Sequence, residues 1–150
     1  MGQGTVTITA ATITDTDINA SANIAASKQK HQGDARTTFG LDYDATPTAQ
    51  TRTLHVATGS ETLRGVRFML HDTGTSTDID FDLLVNDSSV LDAVVNFVHG
   101  DADGTVKTGT ITSASLTAGD RVTVDVAITS STGAQGPFAE LYFDRNYVSS

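Results

Sequence analysis

The sequence predicts an all-β protein, a jelly-roll-like antiparallel β-sandwich preceded by an extended N-terminal arm. Three observations carry this. Thr and Val recur along the whole chain, and their branching at Cβ suits pleated backbone. Short runs with an apolar residue at every second position are separated by clusters of Gly, Asp, Asn and Ser, as in strands joined by turns. No stretch sustains the apolar stripe of an amphipathic helix.

The chain divides into an arm, residues 1–33, and a sandwich domain, residues 34–150. In the arm, Gly4-Thr5-Val6-Thr7-Ile8-Thr9-Ala10 alternates Thr with apolar residues and reads as a short strand. Whether it pairs within its own domain or adds to a neighbouring subunit is open at this level. The next stretch, from Ile13 to Lys28, is small and polar, with Ile13, Ile18 and Ile24 as its large apolar groups. Their spacing fits neither a strand period nor a helical stripe, so the segment cannot bury itself. It is either disordered or completed by another chain, and the regular Ile anchors favour completion. Lys28, Lys30, His31 and Arg36 then form a locally basic neck on an acidic chain, a solvated linker or a contact for a negatively charged surface.

Taken in order, the sandwich starts with Thr38 to Tyr43, which puts Phe39, Leu41 and Tyr43 on one face. A loop around Pro47 follows, since proline supplies no ladder donor. Residues 52–57 and 65–71 are the next strands, the second with Val66, Phe68 and Leu70 facing the core. A turn at Asp72 to Ser76 leads to 78–85, the clearest alternation in the chain, with Ile79, Phe81, Leu83 and Val85 inward and Asp78, Asp80 and Asp82 outward. Val90 to His99 is dense enough in apolar residues to be a strand buried on both faces, with Asp92 and Asn96 against full burial. Beyond the Gly100-Asp101-Ala102-Asp103-Gly104 turn, a Thr-rich strand runs from Val106 to about Ser113. Residues 121–128 place Val122, Val124, Val126 and Ile128 inward. A loop from Ser130 to Pro137 precedes the last strand, Phe138 to Asp144. About eight strands in the globular part describe the sandwich.

At 150 residues with 38% hydrophobic content there is room for one core of ordinary size, so one domain plus an arm is expected. No run is long and apolar enough to span a bilayer and the N-terminus lacks signal-peptide features, so a soluble chain without membrane contact is expected. A net charge of -9 with scattered basic residues argues against nucleic acid as a partner. With no cysteine, disulfides and thiolate metal sites are excluded.

The candidate sites are thin. Asp78, Asp80 and Asp82 are about 7 Å apart per pair on one strand face, too far to close around one calcium ion unaided. A solvated acidic face that discourages edge aggregation is the better account. Asp101 and Asp103 lie in a fragment of a calcium-loop pattern whose further ligands are missing; an Asp/Gly turn needs no metal, and calcium there stays an open question. His31, His55, His71 and His99 show no two-histidine metal spacing. No phosphate loop or nucleophile elbow is present, so neither catalytic residues, cofactor nor metal is expected and the protein is read as a non-enzyme. Aromatic content is 6% with no Trp, which weakens a sugar-binding reading; Tyr142 and Tyr147 are the rings to watch.

The stretch Ile13-Thr14-Asp15-Thr16-Asp17-Ile18-Asn19-Ala20-Ser21-Ala22-Asn23-Ile24-Ala25-Ala26-Ser27-Lys28 resembles a segment of the form I-T-D-x-D-I-N-x-x-A-x-I-A-x-S-K near the N-termini of tailed-phage fibre, collar and head-decoration proteins. It covers about a tenth of the chain. The pattern usually continues with Leu, where this chain has Gln29-Lys30-His31. The resemblance implies that Ile13, Asp15, Asp17, Ile18, Asn19, Ala22, Ile24, Ser27 and Lys28 form an oligomerisation and attachment segment, wound with two symmetry mates near a threefold axis. Small side chains let three copies approach, while the isoleucines fill the centre. The expectation is a phage capsid decoration or cement protein on the virion surface, a homotrimer that binds the major capsid protein. The alternative is a tail-fibre or receptor-binding module that presents the loops at 72–76, 100–104 and 130–137 to a host glycan.

Overall fold

The computed structural model describes residues 33–40, 42–113 and 115–145. These residues hold eight strands and no helix: β1 (Gly33–Gly40), β2 (Gln50–Val56), β3 (Glu61–Val85), β4 (Ser88–Ser89), β5 (Val95–Val98), β6 (Val106–Gly109), β7 (Ser115–Leu116) and β8 (Arg121–Arg145). Every pairing between them is antiparallel.

β3 and β8 are the spine of the domain. Each is 25 residues long, and they pair with each other from Glu61 opposite Arg145 to Val85 opposite Val122. The ribbon they make does not stay straight. Phe68 and Phe81 lie on the same strand, yet their rings stack with centroids 5.1 Å apart. Thirteen residues of straight strand would separate them by about 43 Å. The ribbon therefore folds back, and its two halves become the two layers of a sandwich. The first layer joins the early half of β3 and the late half of β8 to β1, β6 and β7. The second joins the late half of β3 and the early half of β8 to β2, β4 and β5.

The corner of the fold has a local cause. The register of β3 against β8 slips between Thr73 and Ser76, a bulge that bends both strands. Gly74 and Gly133 face each other there with φ of 62° and 78°, the left-handed region that glycine enters without strain. A Cβ on Gly74 would lie 2.5 Å from the Ala134 nitrogen, so no other residue fits. Asp72 fixes the turn by accepting the Gly74 N–H at 2.6 Å.

Between the layers, the inward positions form one core. Val66, Phe68 and Leu70 from the first half of β3 meet Ile79, Phe81 and Leu83 from the second, with Val122, Val124, Leu141, Phe143, Phe39 and Phe97 around them. Phe97 closes edge-on against Phe81 at 5.6 Å. Leu91 bridges to Ile111, and the Thr112 N–H donates to Val90 O at 2.8 Å, which ties down one open side of the sandwich.

The antiparallel β-sandwich is as expected, while several boundaries differ. The turn at 72–76 and the loop at 130–137 are the bent middles of two continuous strands, because the bulge keeps the ladder intact on either side. β1 begins five residues before the expected Thr38, so Arg36 of the basic neck lies within a strand opposite Tyr142. It ends at Gly40, which takes Tyr43 off the core face: that ring is 65% exposed. Of the run 90–99 only Val95–Val98 is strand, and it is not buried on both faces, since Val94 and Val98 are exposed and Val90 and Leu91 plug the core from a loop. The arm strand at 4–10 and the Ile-anchored segment lie outside the described residues.

Candidate functional site

The three segments expected as separate loops converge at the corner. Residues 72–76 and 130–137 are its two paired strands, with Asp72 opposite Gln135 and Thr73 opposite Ala134. The 100–104 turn is clamped onto them. Thr73 donates its N–H to Asp103 Oδ1 at 2.9 Å, and its hydroxyl reaches Asp103 Oδ1 at 3.1 Å and Asp101 O at 3.0 Å. His99 Nδ1 donates to Gly74 O at 2.6 Å, and the His99 N–H to Thr77 O at 3.1 Å. The Thr77 hydroxyl donates to Thr73 O across the bend. Backbone groups of Thr73, Gly74 and Thr77 at the bulge thus gain partners outside the ladder.

Asp101 has a second task. Its carboxylate accepts the Val98 N–H at 2.8 Å and the Lys107 ammonium at 2.6 Å, while its own N–H donates to Val98 O. Lys107 also donates to Asn96 O at 2.8 Å and lies 4.8 Å above the centre of the Phe97 ring. Val98 N–H, Val98 O and Asn96 O on the outer edge of β5 are thus occupied, which disfavours edge-to-edge pairing. The hydrogen bond from Lys107 holds the Asp101 carboxyl below its usual range, and the Thr73 N–H does the same for Asp103. Asp101 Oδ2 and Asp103 Oδ1 each take two protein donors. Among the described residues no three His, Cys, Asp or Glu side chains are grouped to hold a metal ion.

The acidic face lies as read, on the outside of the second layer. The Asn96 amide donates to both Asp78 and Asp80 at 2.8 Å, Ser89 donates to Asp82 at 2.8 Å, and Thr51 to Asp125 at 2.6 Å. Asp82 stands directly opposite Asp125. Like charges in that position cost stability, offset in part by the Ser89 and Thr51 hydroxyl donors.

A feature the sequence reading missed is a buried His–Glu pair. Glu61 is 2% exposed; His55 Nε2 lies 2.5 Å from its Oε2, and the Thr58 N–H donates to Oε1 at 3.2 Å. The His55 ring packs on Phe143 at 4.2 Å. A buried carboxylate persists only when partnered, and this one closes the turn between β2 and β3. The only trace in the sequence is two titratable residues flanking a tight turn.

The first layer carries a shallow groove of about 350 Å³ lined by Arg64, Gly65, Val66, Arg67, Thr108 and Tyr142. Arg64 pairs with the buried Asp144. Arg67 lies over the Tyr142 ring at 5.1 Å, and the Tyr142 hydroxyl donates to Glu140. One face of the Tyr142 ring is therefore taken by Arg67; Tyr147 lies outside the described residues. So do all the expected attachment residues, Ile13, Asp15, Asp17, Ile18, Asn19, Ala22, Ile24, Ser27 and Lys28.

No protein-family model matches the sequence, and no curated protein does. Among solved structures, the fold is similar to a chain from the capsid of Ralstonia phage GP4, at 16% identity over 79% of this chain and 89% of that one, with a TM-score of 0.54. It is also similar to a chain from the capsid asymmetric unit of cyanophage Pam1, at 15% identity over 86% of this chain and 97% of that one, TM-score 0.54. A carbohydrate-binding module solved with calcium and xylotriose reaches a TM-score of 0.33, too low to bear on the reading.

Proposed function

We propose that this is a virion structural protein, a capsid decoration or cement protein that binds the shell as a homotrimer. The observation that carries the proposal is that chains described as parts of two phage capsids share its fold over nearly their full length. The resemblance of the Ile13 to Lys28 segment to the trimer segment of phage structural proteins points the same way and is independent of the fold. On this reading the arm supplies the threefold contact and attachment, and the sandwich lies against the major capsid protein. The work done is adhesion: a protein that binds the assembled shell and not its dissociated subunits stabilises the shell by mass action. The clamped corner, partly occupied β5 edge and self-repelling acidic face suit a module that must stay discrete at high local concentration.

The test is sedimentation of the full chain beside a variant with Ile13, Ile18 and Ile24 changed to Ser. The expected result is a trimer for the first and a monomer with an unchanged circular dichroism spectrum for the second, with shell binding lost in parallel. A wild-type monomer at micromolar concentration that still binds shells contradicts the trimer reading.

A second reading is favoured by the convergence of residues 72–76, 100–104 and 130–137 on one corner, where a receptor-binding module would present them to a host glycan. It places the protein on the tail and not on the shell.

A further inference from the structure

Near the corner, the outer face of the first layer breaks the rule that solvent faces of a sheet are polar. Met69 points away from the core between the buried Phe68 and Leu70, and it stands opposite both Phe138 on β8 and Val106 on β6. Gly40 faces Phe138 across β1, and a Cβ there would meet the Phe138 ring at 3.3 Å, so the ring lies against a bare glycine. Val106 is 54% exposed. The result is an apolar row across four strands.

Next to this row, toward the corner, stands Tyr43, the most exposed large hydrophobic side chain among the described residues. Its ring stacks on His71 with centroids 3.4 Å apart and planes 34° apart, which leaves it supported on one side and open on the other. Gly136 makes this possible. Its φ is 60°, a Cβ on it would lie 2.8 Å from Tyr43 O and 2.7 Å from His71 Cβ, and its N–H donates to Ala45 O at 2.9 Å. The 42–45 loop crosses the sheet where there is no side chain and is tied there.

Around this aromatic surface three carboxylates gather, with the His71 imidazole beneath the ring as the nearest basic group. Asp42 and Asp44 flank Tyr43 and are exposed. Asp103 is exposed close to His71, held ionised by the Thr73 N–H. Among the described residues, no Lys or Arg forms an ion pair with any of the three, whereas Glu61, Asp87, Asp101 and Asp144 each have a basic partner.

We infer that this face docks a basic segment of a protein partner, with a Lys or Arg side chain laid over Tyr43. The open ring face attracts the cation, the apolar row takes the aliphatic stem, and the carboxylates receive the charged head. A neutral saccharide would use the ring and donate hydroxyls to the carboxylates but leave their charge unneutralised, and an anionic one is repelled. The inference rests on the capsid reading only for which protein supplies the segment.

The experiment is an amide-resolved NMR titration of the full chain with a short arginine-rich peptide and, in parallel, with maltotriose. The peptide is expected to shift residues 43, 71, 103, 104, 136 and 138. Tyr43→Phe keeps the ring face and the affinity, whereas Tyr43→Ala binds about tenfold more weakly. Three results overturn the inference: peptide shifts centred on Asp78, Asp80 and Asp82; an unchanged affinity in Tyr43→Ala; or shifts at the Tyr43 face from maltotriose and none there from the peptide. None of these requires a shell, so a failure here leaves the capsid reading standing, and a failure to bind shells leaves this face standing.

Discussion

Asp101, Asp103 and Asp120 show how single side chains contribute to the acid response of this domain. Each accepts hydrogen bonds that exist only in the folded chain: Asp101 from Lys107 and Val98, Asp103 from Thr73, and Asp120 from Thr117 and Asn86. All three are thereby held below the ordinary aspartate value of 3.8. A carboxylate lowered in the folded state stabilises the fold above its unfolded value, and that contribution is lost as pH falls through its folded value. Urea midpoints are therefore expected to be flat from neutral pH down to about 5 and to fall below about 4. Asp103→Asn should show a shallower fall than wild type over the same range. At this scale the sequence reading placed Asp101 and Asp103 in a turn but left open what they hold, because Thr73 is 30 residues from Asp103 in the chain. Tyr43 was misplaced for a similar reason: a period of two continues only while the strand does, and β1 stops at Gly40.

Among the elements, the corner of the β3–β8 ribbon decides the architecture. Alternation named the buried faces of both halves, since Val66, Phe68 and Leu70, then Ile79, Phe81 and Leu83, are fully buried as expected. What alternation does not reveal is that a Gly-rich interruption can be a bulge within one strand as readily as a turn between two. Gly74 is the residue on which that distinction rests. Gly74→Ala puts a Cβ against the Ala134 nitrogen at positive φ, and a loss of about 1–3 kcal/mol in unfolding free energy is expected, read from the urea midpoint. The same change at Gly59, which has open space around it, should be close to neutral. The dense run 90–99 was overread as one buried strand because apolar density does not distinguish a ladder from a loop that plugs a core, which is what Val90 and Leu91 do.

For the whole molecule, the described residues form one sandwich whose described faces are one acidic, one mixed with an apolar row, and an edge partly occupied by Lys107 and Asp101. The fold was legible because strand alternation is local. The Tyr43 face was not, since it is assembled from β1, β3, β6, β8 and a loop, and only their register brings Val106, Met69, Phe138 and Tyr43 together. The attachment reading rests on the arm's sequence and on the fold the domain shares with chains of phage capsids. The measurement that tests it most directly is the position of this protein on the assembled particle, by electron cryomicroscopy of virions carrying a gold-binding tag at the C-terminus of this chain. The account predicts sandwich density in groups of three on the outer shell, joined at their centre by the arms; label confined to the tail, or single sandwiches without a threefold contact, would contradict it.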